Sequence, residues 1–219
     1  MKKQYLVIGI ITAVVALLIG KGVSKQSAQN AYHTYLENEQ KTYESVQVDN
    51  IDVSKNNFVH NIPKFSLGLP SGLSLIKAID NNGIVAYKGE TDDIMCQLQI
   101  RDGYTLMNMK SQNIERRMLD YNMYSKTTMD ATYDAYVKST IASSPYGDVI
   151  NVVHSVQKIS DKIFIYIEYE IPGDDENMMR KSYNFLVNGY SITVVGLFFK
   201  NNKIAEASVN DFLKSIVFN

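Results

Sequence analysis

The chain has 219 residues, a formal net charge of -1 and one cysteine, and 45% of its residues are hydrophobic. This length leaves room for one folded domain of roughly 150 residues after an apolar N-terminus and a spacer. The near-zero charge and the dispersed basic residues exclude a general nucleic-acid binder, which needs clustered Lys and Arg. The lone Cys96 excludes an internal disulfide and lies too far along the chain for lipoprotein acylation. Its alternating apolar surroundings predict a buried packing role.

The N-terminus carries an uninterrupted run of sixteen apolar or small residues, 5–20, directly after two lysines and Gln4. The run is slightly longer than a signal-peptide core of about 7–15 residues and slightly shorter than the roughly 20 that comfortably span a bilayer. Lys21 can extend along the helix end and lengthen the span, which favours a retained transmembrane helix. Lys2 and Lys3 favour a cytoplasmic N-terminus, although Lys21 and Lys25 lie on the other flank. The alternative is cleavage after Gly22 or Ser24, which would give a secreted protein. We therefore predict a signal-anchor segment over residues 1–25.

Residues 26–62 are predicted to form a polar helical stalk and a linker. Apolar side chains recur mostly at three- and four-residue steps from Gln26 to Val46, which predicts a short amphipathic helix. His33 is isolated on that helix, with no second ligand at helical spacing, so it predicts no metal site. The residues that follow lack a sustained period and are interpreted as linker, which includes His60.

The folded domain is predicted to span residues 63–219. Turn residues separate short apolar runs in which apolar and polar residues alternate, as in strands. Farther along the chain, apolar residues recur every three or four positions, as in helices. The predicted elements in chain order are strands at 65–69, 84–89 and 94–100, turns at Pro70–Gly72 and Asn81–Gly83, and helices at Thr105–Met123 and Asp130–Ala142.

The C-terminal half predicts a meander of four antiparallel strands. An Asn188-Gly189 type I′ turn makes Val187 oppose Tyr190, and counting outward pairs Phe185 with Ile192 and Tyr183 with Val194. Keeping apolar residues together across the PGDDEN loop then fixes the next register, and a turn at Ser160-Asp161 adds another strand. The resulting pairs are Ile167 with Tyr183, Ile165 with Phe185, Ile163 with Val187, Val156 with Ile165, His154 with Ile167 and Val152 with Tyr169.

This register predicts a continuous apolar face and a second apolar face behind it, so elements are expected to pack on both sides of the sheet. A helix over Ile204–Leu213 and a short strand over Ile216–Phe218 are predicted to close the chain. The predicted fold class is α+β, with a single antiparallel β-sheet flanked by helices. Five side chains are predicted to be buried on one sheet face: Ile165, Ile167, Phe185, Ile192 and Val194.

Two carboxylates are the strongest candidates for acid–base chemistry. Glu168 and Glu170 point the same way along one strand, about 7 Å apart, which is a spacing that a two-carboxylate site can use. The predicted register places Glu170 beside Arg180 and Glu168 beside Ser182. A cross-strand charge pair on a partly solvated face is therefore the favoured interpretation. A hydrolase that uses Glu168 or Asp161 is the alternative.

The other candidate features favour structural roles. His154 is the only histidine inside the predicted core and is interpreted as a hydrogen-bonded core residue. The acidic loop 173–177 lacks the ligand spacing of a calcium loop and is interpreted as a hairpin turn. The sequence has no nucleophile elbow, phosphate-cradling glycine loop, HExxH or paired CxxC, so no catalytic, cofactor-binding or metal-binding residue is assigned. Four tyrosines are expected either to cap the sheet or to reach the surface and suit an interface: Tyr121, Tyr124, Tyr133 and Tyr136.

The order of elements resembles the PsbP-like superfamily over about residues 64–219. The similar parts are FSLGLPSGLSL, a strand followed by a Leu-Pro-x-Gly turn, the middle helices, the KSYNFLVNGYSITVVGLFF hairpin and the closing VNDFLKSIVF. Leu73 departs from the pattern, because an aromatic residue often follows this turn in the family. The resemblance implies an α/β/α sandwich with one antiparallel sheet, in proteins that mostly act as non-enzymatic accessory or partner-binding subunits. No ligand-specific residues are carried over.

The sequence therefore predicts a membrane-anchored, non-catalytic, extracytoplasmic domain that binds a protein partner in the cell envelope. No cofactor and no nucleic acid are expected, the membrane contact is the N-terminal helix, and the partner-binding residues are not assigned. One alternative is the envelope hydrolase, which loss of activity in Glu168→Gln would support. The other is a small-molecule or lipid carrier, which needs an apolar cavity between the sheet and the helices.

Overall fold

The computed structural model describes residues 43–45 and 57–219. They form an eight-stranded sheet, a three-stranded sheet and three helices, so the fold is α+β and dominated by antiparallel sheet, as the sequence predicts. The prediction of a single sheet is wrong, because three of the strands form a second sheet. The helices are α1 (Gly103–Leu106), α2 (Lys126–Ala142) and α3 (Lys203–Lys214). The strands are β1 (Glu44–Ser45), β2 (Asn57–Asn61), β3 (Lys64–Gly68), β4 (Ile76–Asn81), β5 (Ile84–Glu90), β6 (Ile94–Asp102), β7 (Ile150–Ile159), β8 (Lys162–Ile171), β9 (Met178–Val187), β10 (Tyr190–Phe199) and β11 (Val217–Phe218).

The large sheet has the strand order β1-β7-β8-β9-β10-β6-β5-β4. Strand β1 pairs with β7 in parallel, and the other neighbours are antiparallel. Strands β7 to β10 form the predicted meander, and β6 pairs with the far side of β10. This order makes β4 an edge strand. The small sheet has the order β11-β3-β2.

The β9–β10 hairpin has the predicted register. Asn188 and Gly189 both have positive φ, as a type I′ turn requires, and Val187 pairs with Tyr190. The other predicted pairs of this hairpin are confirmed: Phe185 with Ile192 and Tyr183 with Val194. Between β7 and β8, two predicted pairs are confirmed, and a β-bulge between Ile150 and Val153 replaces the third. The confirmed pairs are Val156 with Ile165 and His154 with Ile167, and the interrupted pair is Val152 with Tyr169.

The register between β8 and β9 differs from the prediction by one residue. Phe185 pairs with Phe164, and Ile165 pairs with Asn184. Because β8 carries apolar side chains on both faces, a one-residue shift keeps apolar neighbours together in either register. Hydrophobic pattern alone therefore could not decide between the two registers. Three predicted pairs are wrong for this reason: Ile165 with Phe185, Ile167 with Tyr183 and Ile163 with Val187.

The shifted register divides the buried side chains between two faces of the sheet. Phe185, Ile192 and Val194 face the small sheet and α3, where they pack with side chains such as Phe65. Ile165 and Ile167 point to the opposite face, which is covered by α2 and the segment before it. All five side chains predicted as core are fully buried, but the prediction that they share one face is wrong. The expectation of packing on both sides is confirmed.

Helix α3 approaches the sheet closely because small residues lie beneath it. Gly196 of β10 pairs with Cys96 of β6, which pairs with Gly89 of β5, so the three form one row across the sheet. A methyl group on Gly196 would overlap the side chain of Val209 on α3. Cys96 has no exposed surface, and burial raises the pKa of its thiol to about 12. The predicted packing role of Cys96 is confirmed.

The segment predicted as a helix from Thr105 to Met123 is mostly irregular. Helix α1 has only four residues, and single 3₁₀ turns follow at Met109–Gln112, Arg116–Met118 and Tyr121–Met123. Asn108 and Asn113 adopt left-handed backbone angles, which interrupt a right-handed helix on either side of the first 3₁₀ turn. The second predicted helix is confirmed as α2, which begins four residues earlier than predicted because Ser125 caps it.

The N-terminal predictions lie largely outside the described residues. The signal-anchor segment and the stalk up to residue 42 belong there, as does the linker from 46 to 56. Asn57–Asn61, interpreted as linker, is strand β2, whose alternating Phe58 and His60 pack inward against Phe65. Glu44–Ser45, predicted as the end of the stalk helix, is strand β1. Within 43–45 and 57–219, no helix is long and apolar enough to cross a membrane.

Candidate functional site

Glu170 lies in a saturated hydrogen-bond cluster at the end of β8, where its side chain is 3% exposed. Lys200 Nζ lies 2.8 and 2.9 Å from the two carboxylate oxygens, and the side-chain amides of Asn151 and Asn177 donate to the same oxygens. These hydrogen bonds, with that from Lys200 the largest effect, lower the pKa of Glu170 to about 2. A carboxylate held ionised in this way suits a structural ion pair better than acid–base catalysis near neutral pH.

Replacing Glu170 by glutamine should flatten the loss of stability in acid. A carboxylate whose pKa is depressed by folding stabilises the protein above its ordinary value of 4.5, and this contribution is lost as pH falls from there through about 2. The free energy of unfolding of the wild type should therefore fall more steeply in this window than that of Glu170→Gln. Urea denaturation at a series of pH values measures both slopes. Glu90→Gln is the matched control, because Glu90 is exposed. Equal slopes for Glu170→Gln and the wild type would contradict the ion-pair role of Glu170.

Glu168 belongs to a second charge cluster, between β8, β9 and α3. Lys181 is its cross-strand partner, with Nζ 3.7 Å from the carboxylate, and Tyr166 donates to the same carboxylate. Lys181 also contacts Glu206 at 3.0 Å and Asn210 at 3.2 Å. The predicted partners Arg180 and Ser182 are wrong by one residue, as the register requires. The predicted cross-strand charge pair exists, but between Glu168 and Lys181. Glu170 is buried and pairs with Lys200 beyond β10, so its predicted cross-strand pair with Arg180 is wrong.

Two other predicted candidates lie on the surface. His154 is exposed near the edge of the sheet, where the hydroxyl of Tyr133 contacts its ring, so its prediction as a core residue is wrong. Its neighbour β1 has only two residues and leaves this part of β7 uncovered. Asp161 lies in the β7–β8 turn and pairs with Lys162 at 3.1 Å. In the described part of the chain, no three His, Cys, Asp or Glu side chains are placed to hold a metal ion.

An open groove of about 350 Å³ lies at the end of the sheet near the β7–β8 and β9–β10 turns. Its lining mixes polar and apolar side chains and the groove is open to solvent, so it is not the enclosed apolar cavity that a lipid carrier needs. The polar lining residues include Lys64, Asp161, Lys162, Asn188 and Tyr190.

The sheet face on the α2 side is covered only in part. Helix α2 packs over β7 and β8, whereas Ile76 and Ile79 on edge strand β4 are 72% and 48% exposed. The cross-strand pairs place a mixed set of apolar, amide and basic side chains on this face. We call it the open face and define it by Ile76, Ile79, Ile84, Ala86, Lys88, Gln97, Gln99 and Arg101.

A polar network joins the open face to the residues beneath α2. Tyr121 donates to the Asn184 side chain at 2.7 Å, and the amide of Asn184 donates to Ser191 at 3.2 Å and Thr193 at 2.8 Å. Ser191 pairs with Arg101 across the strands, and Thr193 pairs with Gln99. The network holds these hydroxyl groups in place at the boundary of the open face. Of the four tyrosines predicted as cap or interface, Tyr121 and Tyr124 are buried, and Tyr133 and Tyr136 are partly exposed.

Arg101 is the charged centre of this region. Its Nε donates to Gln99 Oε1 at 3.1 Å, and within the described residues it forms no ion pair. Burial lowers the pKa of Arg101, and the phenol of Tyr136 on α2 acts in the opposite direction. Arg101 is therefore a partly buried cation next to neutral polar groups.

Arg116, in contrast to Arg101, has both a charged and an aromatic partner among the described residues. It forms an ion pair with Asp102 at 3.0 Å and lies between the rings of Tyr104 and Tyr190, with its guanidinium carbon 4.5 and 4.6 Å from their centroids. Burial raises the pKa of Asp102, but the hydrogen bonds from Arg116 and Thr105 outweigh it and hold this pKa below its ordinary value. The cluster fastens the irregular segment to the β9–β10 turn.

The sequence analysis did not identify the open face or Arg101. Arg101 lies at the end of β6 directly before Asp102. In the sequence the two residues therefore look like an ordinary pair of adjacent opposite charges. In the strand, the two side chains point to opposite faces. The sequence feature that could have identified this face is the alternation of Gln97, Gln99 and Arg101 with apolar residues. It indicates a strand with one polar face and one apolar face.

No family model and no curated protein matches this sequence. Among solved structures, the chain is similar to a crystal structure from Bacteroides thetaiotaomicron VPI-5482, with 9% sequence identity and a TM-score of 0.42. The similarity covers 75% of this chain, and the chain spans about half of that protein's length, 48%.

Proposed function

We propose that this protein is a membrane-anchored, non-catalytic binding domain that engages a protein partner outside the cytoplasm, in the cell envelope. The N-terminal apolar segment supports the anchor, and the long polar stretch after it would hold the domain clear of the lipid. We also propose that the domain is a PsbP-like α/β/α sandwich, in line with its antiparallel sheet and the elements packed on both faces.

The open face is the observation that carries the proposed function. It combines exposed apolar side chains on β4 with amides and a cation on β6, a mixture typical of protein interfaces. Edge strand β4 borders this face, and all six of its residues are exposed. A sheet edge offers unpaired backbone N–H and C=O groups to an incoming strand. The surface therefore suits a protein segment better than a small substrate.

The charge clusters favour binding over hydrolysis. Glu170 and Glu168 each contact a lysine, and both lie on the opposite face of the sheet from the open face. Glu168 shares Lys181 with Glu206, and Glu170 is bound by Lys200, so these carboxylates are engaged in ion pairs instead of facing a substrate cleft. Asp161, the other residue of the hydrolase alternative, lines the open groove but is paired with Lys162.

Site-specific photo-crosslinking in intact cells tests the proposed function. The full-length chain would carry a photoreactive residue at Ile79, on the open face, or at Ile204, which is 83% exposed at the start of α3. We expect a discrete crosslinked protein adduct from position 79 and none from position 204. The adduct should be in the membrane fraction and accessible to protease from outside the cell.

Two results of that experiment, and one mass measurement of the mature protein, would contradict the proposal. Recovery of the protein only from the cytosol would exclude an envelope role. Equal crosslinking from positions 79 and 204 would exclude the open face as the binding surface. A mature mass that shows a new N-terminus at Val23 or Lys25 would exclude the anchor and identify a secreted protein.

A further inference from the structure

Arg101 has hydrogen-bonding capacity that the protein does not use. A guanidinium carries five N–H donors, and only Nε of Arg101 has a partner among the described residues, the side-chain oxygen of Gln99. The other three arginines are engaged. Arg116 pairs with Asp102, Arg117 pairs with Glu115, and Arg180 donates to Ser182 and stacks on Tyr169.

The neighbours of Arg101 add further donors but no negative charge. Ser191 and Thr193 accept hydrogen bonds from Asn184, so their own hydroxyl protons are free to donate toward β6. They lie directly across the strands from Arg101 and Gln99. The site therefore offers one positive charge and several neutral donors to an incoming anion.

The charge of the site selects the type of anion. A guanidinium fork matches the two oxygens of a carboxylate, and one cation balances one carboxylate charge. A phosphate group carries nearly twice that charge and is usually held by clustered arginines or a helix N-terminus. Lys88, the other cation of the open face, is already paired with Glu90 at 2.8 Å.

We propose that Arg101 anchors a carboxylate-binding subsite on the open face, and that its occupant is an Asp or Glu side chain of a protein partner. This inference rests on the proposed function and specifies the partner as an acidic segment. Apolar residues beside the acidic residue contact Ile84 and Ile79, which lie on the same face. Thr193 and Ser191 donate to the oxygens that Arg101 leaves free.

A peptide titration of the full-length protein in nanodiscs tests the subsite. The probes are a heptapeptide of alternating Leu and Glu, its Leu and Gln counterpart, and glutarate. We expect the Leu/Glu peptide to bind with a Kd about 10–100-fold lower for wild type than for Arg101→Gln, the range for losing charge-assisted hydrogen bonds. Arg101→Lys keeps the charge without the fork and should bind with intermediate affinity. Arg180→Gln, on the same sheet face, should bind like the wild type.

Three other outcomes would overturn the proposal, either at the subsite or at its protein occupant. Equal binding of the Leu/Gln peptide would show that no carboxylate is recognised, and equal affinities of wild type and Arg101→Gln would show that Arg101 is not the anchor. Binding of glutarate as tightly as the peptide would replace the protein occupant by a small carboxylate. Unchanged thermal unfolding of Arg101→Gln and Arg101→Lys separates lost binding from lost folding.

The crosslinking experiment separates this inference from the proposed function. If Arg101→Gln leaves the adduct at position 79 unchanged, the subsite fails while partner binding stands. If position 79 gives no adduct although the Leu/Glu peptide binds through Arg101, the proposed function fails and the carboxylate subsite stands.

Discussion

Replacing Phe185 by alanine should lower the free energy of unfolding by about 3–5 kcal/mol, the range for truncating a buried phenylalanine. Phe185 is fully buried, and its ring centroid lies 5.2 Å from that of Phe164 and 5.1 Å from that of Phe218. The ring therefore joins the large sheet to the small one, and the cavity left by its removal would be lined by both. Urea or thermal denaturation measures the change.

Phe199→Ala is the matched control, because Phe199 lies at the end of β10 and is 39% exposed. Its truncation should cost about 1 kcal/mol or less. A similar cost for Phe199→Ala and Phe185→Ala would contradict the assigned core.

Double-mutant cycles on Phe185 also test the register between β8 and β9. Phe185→Leu and Phe164→Leu should couple by about 0.5–1.5 kcal/mol, since aromatic pairs in contact interact beyond their burial. Phe185→Leu and Ile165→Val should be nearly additive, because these side chains lie on opposite faces of the sheet. The reverse result would support the register predicted from hydrophobic pattern.

Local turn chemistry explains which parts of the fold were predictable. The dipeptide Asn188-Gly189 specifies a two-residue turn, and such a turn determines every pair along β9 and β10. The β8–β9 loop has six residues and no such constraint, so its register depended on apolar pattern alone. That pattern failed because both faces of β8 are buried. For the same reason, the sequence could not show which of the predicted core residues lie on the same face of the sheet.

The open face was not predictable from one sequence because it depends on long-range strand order. Strand β6 pairs with its chain neighbour β5 on one side, but on the other side it pairs with β10, which lies almost ninety residues later. Only that pairing brings Arg101 beside Ser191 and Gln99 beside Thr193. The sequence could predict that the carboxylates on β8 form ion pairs, because charged groups on a strand need partners. It could not identify the partners, because Lys181 depends on the β8–β9 register and Lys200 on where β10 ends.

Replacing Gly196 by alanine should destabilise the protein by about 1–3 kcal/mol, the typical cost of overpacking a dense core. The added methyl group would overlap Val209, a fully buried residue of α3, so the helix or the strand must move. Val209→Ala alone should also destabilise, by about 2 kcal/mol, because it removes two buried methyl groups and leaves a cavity. Chemical denaturation of both single variants provides the reference for the combined change.

The double variant Gly196→Ala, Val209→Ala tests whether the two costs arise from the same contact. The new methyl on β10 would occupy space that the shortened side chain on α3 vacates, so the combined cost should be smaller than the sum by about 1–2 kcal/mol. Val137→Ala, in α2 on the other face, is the matched control and should be additive with Gly196→Ala within about 0.5 kcal/mol. Additivity in both pairs would mean that α3 does not rest on Gly196, and that the small side chains of β5, β6 and β10 do not set its distance from the sheet.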